Sequence, residues 1–360
     1  MNKKNSFFLA ALSITGLIVW FSQGGSDVIF KEKPVEIPET KTYSAEVLWP
    51  KTPEEKSAAG EASGVAVNSE GDIYYFHRAS GEYSGKDVIK EPTIVVLDGK
   101  TKKVKRTLGE GMFKSPHGLE IDSEDNIWVT DVSLNKVFKL SPEGKLMQSF
   151  GNEYRTGMEW SLRIRNLLPN FPVFMDEYTF ARPTDVTVMD DGSFAVSDGY
   201  RNRRIAKFDK EGKLEWQINQ HGDEPGEFNL PHGISSDSEG RIYVADRSNA
   251  RIQVFDKNGQ YLDRWDMPEI GRPFGVEAAS DGNIYVVDGG DSLNGAEGNF
   301  TSQVIVLDKE GTILERFGTW GSKEGQMKIP HDIAVDESGN LYVAELGNKR
   351  LQEFSRKSFN

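Results

Sequence analysis

The 360-residue sequence predicts an all-β fold, a six-bladed β-propeller with four strands per blade. Three observations predict it. A turn residue followed by a run of β-branched and aromatic positions recurs six times, at Gly71–His77, Asp125–Asp131, Gly192–Asp198, Gly240–Asp246, Gly282–Asp288 and Gly339–Glu345. Strand-like phrases flank these copies, as at Gly118–Asp122 before the second and Arg251–Asp256 and Lys213–Trp216 after others. The last repeat stops after three strands at Phe354, while Tyr43–Trp49 stands near the start as an unpaired fourth. Four short strands per repeat mark a propeller blade, whereas β-solenoid repeats are much shorter. If Tyr43–Trp49 completes the last blade, both termini close the ring and no sheet edge is left bare.

Taken in order, residues 1–26 are expected to be an address. Lys3 and Lys4 precede an apolar run from Phe7 to Phe21, which fits the charged and apolar regions of a secretory signal. The run of 15 residues is shorter than a spanning helix usually needs, and no clean cleavage site follows it. A cleaved signal and an uncleaved membrane anchor are both open, and either predicts an exported protein, periplasmic or extracellular. Residues 27–42, with Pro34, Pro38 and several charges, read as a tether, and 43–360 as the propeller. Length alone would suggest two or three domains, but the repeats argue for one.

Composition narrows the function classes. The net charge of −13 argues against a nucleic-acid or anionic-membrane partner, since both need clustered Lys and Arg. The absence of cysteine excludes thiolate metal sites, Cys nucleophiles and disulfides.

Aligning the repeats exposes a candidate site. With residues 71, 125, 192, 240, 282 and 339 as position zero, slot −8 holds Ser63, His117, Thr184, His232, Phe274 and His331. Three of the chain's five histidines share one slot in alternate blades. Three imidazoles about 120° apart in a six-bladed ring suit a divalent cation with an open fourth position. A hairpin turning at zero is expected to set slot −8 opposite slot +7, which holds Arg78 and Arg247, with Tyr200 one residue beyond it in blade three. Arginines beside a cation point to an anionic, carboxylated substrate. Slot −7 is glycine except for Asp185 and Asp332, and Asp332 with main-chain carbonyls suits a second, hard cation. The recurring Asp131, Asp198, Asp246 and Asp288 read as structural acceptors for N–H groups between blades; His77 breaks that series, and His221 has no assigned role. The long pieces 79–92, 151–181 and 289–302 should all emerge on the histidine face. Within the second, Trp160–Leu168 reads as a short amphipathic helix, joined by Phe171, Phe174 and Tyr178 in a wall or lid.

These residues resemble the peptidyl-α-hydroxyglycine α-amidating lyase family, within the wider group of NHL-repeat propellers. The resemblance spans residues 58–355 and rests on Phe76-His77-Arg78, Pro116-His117-Gly118, Ser197-Asp198-Gly199-Tyr200, Pro231-His232, Ala245-Asp246-Arg247 and Pro330-His331-Asp332. It implies a catalytic zinc on His117, His232 and His331, with Arg78, Tyr200 and Arg247 as the catalytic and pocket residues. It also implies a structural calcium on Asp332 and the carbonyls of Val65 and Leu119. The implied reaction cleaves a C-terminal α-hydroxyglycine, peptidyl or acyl, into an amide and glyoxylate, and a monomer is expected. Two departures stand out. Animal members carry disulfides in this domain, and Arg201 stands where they place one such cysteine. No copper monooxygenase sequence, the source of the substrate in the bifunctional enzymes, precedes the propeller. Another metal-dependent hydrolase or lyase acting on a small carboxylated compound, and a non-enzymatic binding propeller, are the competing readings.

Overall fold

The computed structural model describes residues 42–154, 157–168, 171, 173, 175–266, 271–290 and 301–357. The expected signal or anchor, most of the tether, Phe174, and residues 291–300 of the third insertion lie outside them. Six four-stranded antiparallel sheets form the blades. Blade one runs from Ala62–Val67 to Val104–Leu108, blade two from Pro116–Ile121 to Leu146–Phe150, and blade three from Asp185–Val188 to Leu214–Ile218. Blade four runs from Pro231–Ser236 to Tyr261–Asp266 and blade five from Pro273–Ala278 to Ile313–Phe317. In blade six, Pro330–Val335, Leu341–Glu345 and Arg350–Arg356 are joined on the outside by Tyr43–Trp49. Tyr43 pairs with Arg356 and Trp49 with Leu351, so the expected closure is present.

The local chemistry explains the repeat. The residue at position zero is left-handed in every blade, with φ between 62° at Asp125 and 85° at Gly282. Glycine meets that need without a Cβ clash, and aspartate is one of the few tolerated substitutes. Asp125 also accepts from the Ser69 N–H and hydroxyl at 2.9 and 2.7 Å, tying blade two to blade one. Each second strand, such as Ile127–Asp131 and Ile242–Asp246, is buried along its whole length because neighbouring blades cover both faces. Outer strands such as Leu146–Phe150 are largely exposed, the apolar Leu146 and Met147 among them.

Among the described residues the core is not one mass but six seams, one between each pair of neighbouring blades. Trp128, Val137, Phe180 and Phe194 fill the seam between blades two and three, for example. Tyr43, Phe317, Met327 and Phe354 fill that between five and six, and Trp49, Tyr75, Leu97 and Tyr342 that between six and one. The closing strand thus supplies an aromatic to each seam that flanks its blade. Each buried large apolar side chain contributes roughly 1.5–3 kcal/mol, so the closing strand is a substantial part of the ring's stability.

The recurring acids do structural work between elements. Asp131 accepts the N–H groups of Lys114 and Ser115 from the preceding linker, and Glu345 accepts that of Lys328 and an ion pair from Arg350. His77 fills the same role with a different atom: its Nδ1 accepts from the N–H groups of Gly60 and Ala79 at 3.3 and 3.1 Å. Burial holds this imidazole near a pKa of about 4, so it is neutral and free to accept. His221 lies exposed in a two-residue bridge.

Candidate metal centre

The three slot −8 histidines meet at the ring axis. Their ring centroids are 4.7 to 4.9 Å apart, and one ring nitrogen from each lies within 4.8 Å of the others. All three are buried. The hairpin register that brings them there differs from the expected one. Pro116 pairs with Asp131, and regular pairing resumes at Leu119 opposite Val129, so His117 lies in a β-bulge rather than opposite slot +7. Blades four and six repeat the shift, at Pro231–Ile234 and Pro330–Asp332. A bulge bends the strand and re-aims its extra residue, which here turns each imidazole toward the axis.

The blades without histidine supply the other half of the arrangement. His117 Nδ1 donates to Thr184 O at 2.6 Å, His232 Nδ1 to Phe274 O at 2.8 Å, and His331 Nδ1 to Ser63 O at 2.8 Å. Thr184, Phe274 and Ser63 are the slot −8 residues of the next blades. A carbonyl can only accept, so each Nδ1 carries the proton and each Nε2 keeps its lone pair. Fixing the tautomer through the far nitrogen is how proteins orient imidazole ligands. Burial pushes all three imidazoles below their ordinary pKa, His331 to about 3, with Arg78 adding to the effect on each. They are neutral, as ligands must be. His331 Nε2 is buried without a hydrogen-bond partner, an acceptor that a cation would satisfy.

The other expected site residues gather around this cluster. Tyr200 Oη lies 2.9 Å from His117 Nε2 and 3.2 Å from His232 Nε2. Burial raises its phenol above the ordinary value and Tyr83 adds to that, while Arg247, Arg78 and Arg182 pull the other way. Arg78 is buried, not a rim charge. Its Nε donates to Pro116 O at 3.2 Å, its Nη1 pairs with Glu61, and its Nη2 is buried with no partner. Arg247 is also buried, its guanidinium 4.1 Å above the Phe274 ring. Two cationic donors and three lone-pair nitrogens in one enclosure suit a ligand that carries both a carboxylate and a metal-binding oxygen.

Below the histidines, Asp332 Oδ2 accepts the Val65 N–H at 2.9 Å, and Asp185 Oδ2 accepts that of Ile234 at 3.0 Å. Slot −7 acids therefore strap neighbouring innermost strands together. Val65 and Leu119 lie on adjoining strands, where a Cβ on Gly64 would come within 2.7 Å of Leu119 Cβ. Sequence reasoning missed two further acids, Glu120 and Glu277, although both occupy slot −5, where the other blades carry Ala, Thr or Ser. Burial raises Glu277 and Asp332 to about 7, and Glu120 and Asp185 are raised by burial and by the other acids.

The insertions 79–92 and 151–181 reach the histidine face as expected. Helix α1 is Met158–Leu167, and its Met158 and Leu162 pack with Ala181, leaving Trp160, Leu167 and Leu168 exposed. Phe171 is half-buried, and the Tyr178 ring lies 6.4 Å from Phe208. A polar network joins the helix to the segment beyond Tyr200: Glu159 contacts Arg182 at 3.4 Å and Arg201 at 3.6 Å, and Arg165 Nη2 donates to Arg201 O at 2.8 Å. The Arg201 N–H also donates to Ala181 O at 3.1 Å. Without cysteine, ion pairs and main-chain bonds hold this loop.

The chain is similar to known proteins in sequence and in fold. The NHL repeat model matches residues 228–255 and 328–354. Peptidyl-alpha-hydroxyglycine alpha-amidating lyase 2 of Drosophila melanogaster is 33% identical over 328 residues, covering 84% of this chain and 72% of that one. Peptidyl-glycine alpha-amidating monooxygenase B of Xenopus laevis is 32% identical over 317 residues, covering 82% of this chain, which spans only 34% of that longer protein. A Xanthomonas campestris gluconolactonase structure superposes with a TM-score of 0.59 over 93% of this chain and 98% of that one; at 13% identity it shows the fold alone. The alternating histidines, Tyr200 and the two buried arginines lie within a chain that belongs to the peptidyl-α-hydroxyglycine α-amidating lyase family.

Proposed function

We propose that the protein is a zinc-dependent lyase that cleaves the C–N bond of a peptidyl- or acyl-α-hydroxyglycine, yielding an amide and glyoxylate. The observation that carries this reading is the convergence of three Nε2 lone pairs, each fixed by a carbonyl of the next blade. Imidazole nitrogens suit zinc, and three protein ligands leave a position open. Zinc bound there would act as a Lewis acid toward the substrate hydroxyl and lower its pKa.

The chain's own groups account for the rest. Arg78, through its unpaired Nη2, and Arg247 bind the carboxylate and orient the substrate. Tyr200 Oη, between two of the imidazoles, would accept the hydroxyl proton as a phenolate, a form that bound zinc and the charges of Arg78 and Arg247 would favour against the burial that opposes it, and would return one to the departing amide nitrogen. The carbinol oxygen becomes the aldehyde oxygen of glyoxylate as the C–N bond breaks, so no water is consumed. The buried acidic group around Asp332, in which Asp332, Glu120 and Asp185 are raised by burial and by neighbouring acids, supports a second, hard cation such as calcium with the Val65 and Leu119 carbonyls. The basic pocket and acidic overall charge favour a small anionic substrate over nucleic acid, and the N-terminal run favours export.

The test is glyoxylate release from a small N-acyl-α-hydroxyglycine, with and without a zinc chelator. Chelator-sensitive release is the expected result. No release from protein that holds zinc would overturn the substrate assignment and favour another small carboxylated compound.

A further inference from the structure

We propose that Tyr83, in the 79–92 insertion of blade one, is a positioning residue that holds Tyr200 over the histidine cluster; this rests on the lyase reading for its kinetic consequence. Among the described residues, three rings meet Tyr200 nearly edge-on. His117 and His232 do so at 5.2 and 5.7 Å between centroids, with interplanar angles of 84° and 83°. The third is Tyr83, at 5.4 Å and 72°. Two of the three are candidate metal ligands, so the outer side of Tyr200 is left to Tyr83. Such aromatic pairs contribute about 0.5–1.5 kcal/mol beyond the area they bury.

Tyr83 is itself held on both sides. The Gly81 and Gly85 N–H groups close turns onto Arg78 O and Glu82 O, at 2.6 and 2.9 Å. The Ser84 N–H donates to Ser115 Oγ of the linker into blade two at 3.2 Å, and Arg182 Nη1 donates to Ser84 Oγ at 2.5 Å. Ser84 is left-handed, with φ 62°, a conformation that a serine keeps only when its surroundings impose it. The loop is therefore fastened to the elements that carry His117 and the approach to Tyr200. Arg78 stacks over the Tyr83 ring at 5.4 Å, so one side chain backs both groups assigned to the substrate.

Tyr83 belongs to none of the apolar seams among the described residues, and it is 37% exposed. Its ring contributes little to the ring's stability, yet it touches two residues of the site. A packing residue would show the opposite pattern.

The experiment compares Tyr83→Ala and Tyr83→Phe with the unaltered protein. It reads kcat and KM for glyoxylate release, bound zinc, thermal midpoint, and the flip rate of the Tyr200 ring by NMR on ring-labelled tyrosine. Misplacing a reacting group by about 1 Å can cost on the order of 100-fold, so Tyr83→Ala should lower kcat at least about tenfold. Bound zinc and the thermal midpoint should hold, the Tyr200 ring should flip faster, and Tyr83→Phe should restore both kcat and flip rate. Unchanged kcat and flip rate in Tyr83→Ala would overturn the proposal, as would a Tyr83→Phe protein as impaired as the alanine variant. If the unaltered protein releases no glyoxylate, the lyase reading fails, while the flip rate still decides whether Tyr83 holds Tyr200.

Discussion

Blades two, four and six place an imidazole at the slot where blades one, three and five place Ser63, Thr184 and Phe274, two hydroxyls and a phenyl ring. All six nonetheless contribute to one centre. The even blades give nitrogen lone pairs, and the odd blades give the carbonyls that decide which nitrogen is free. The carbonyl belongs to the main chain, so the odd blades can vary in side chain while the acceptor stays. The difference teaches that a repeat protein can divide a site between side chain and backbone, and only the first half is written in residue identity.

The largest expected effect comes from removing an even-blade contribution. His232→Ala leaves two imidazoles, and bound zinc, measured by elemental analysis after dialysis, should fall from about one per chain to near zero. Tyr200→Phe should keep the metal and lower kcat by about 10²–10⁴, the range for loss of a positioned proton-transfer group. Normal turnover in that variant would remove Tyr200 from the proton path. Arg78→Lys keeps the charge and loses the planar fork. Loss of a charged hydrogen bond is worth about 1.5–3 kcal/mol, so KM should rise about ten- to hundredfold for the carboxylated substrate.

The acids below the centre predict a pH effect with a definite sign. Burial lifts Glu277 to about 7 in the folded chain, while an unfolded glutamate titrates at about 4.3. The folded protein therefore holds this proton more tightly, so the contribution of Glu277 to metal-free stability is full below about pH 4 and is lost as pH rises through about 7. Glu277→Gln should remove that loss, raising metal-free stability by about 1–3 kcal/mol at pH 8 with little change at pH 4, read by denaturant unfolding. A variant with unchanged pH dependence would remove Glu277 as its source. The smallest effect belongs to an odd blade. Ser63→Ala keeps the carbonyl that fixes His331 and loses a weak hydroxyl bond to Phe76 O at 3.4 Å, so zinc content should stay constant and stability change by about 1 kcal/mol or less.

The blade count, the closing strand and the histidine slot were legible because each recurs at a register that the left-handed turn residues mark. The bulge was not legible. An extra backbone residue has no side-chain signature; the ladder already runs one residue off the count at Ile121 opposite Ile127, and the bulge adds another, so counting from the turn set His117 opposite Val132 when the ladder pairs Pro116 with Asp131. Arg78, Arg247 and Tyr200 still reach the centre, because the error shifts residues along one face without moving them to the other end of the blade. Tyr83 and the Glu159 network were hidden for another reason. They lie on insertions without a repeat, and their partners come from other blades. Glu120 and Glu277 had a signal, acids in a slot of small residues, that comparison across the six blades could have found.

The direction of the closing strand also sets which face of the ring the N-terminal residues join. Tyr43 enters beside Arg356, and Arg356 borders the turn at Gly339 and Asn340, on the face away from the histidines; Trp49 leaves beside His77, on their side. Seven residues of strand, about 3.3 Å each, put roughly 20 Å of protein between those two faces. If residues 1–26 hold the protein to a bilayer, the leash is attached to its base. The mouth then looks outward, and a dissolved substrate can reach it from the bulk.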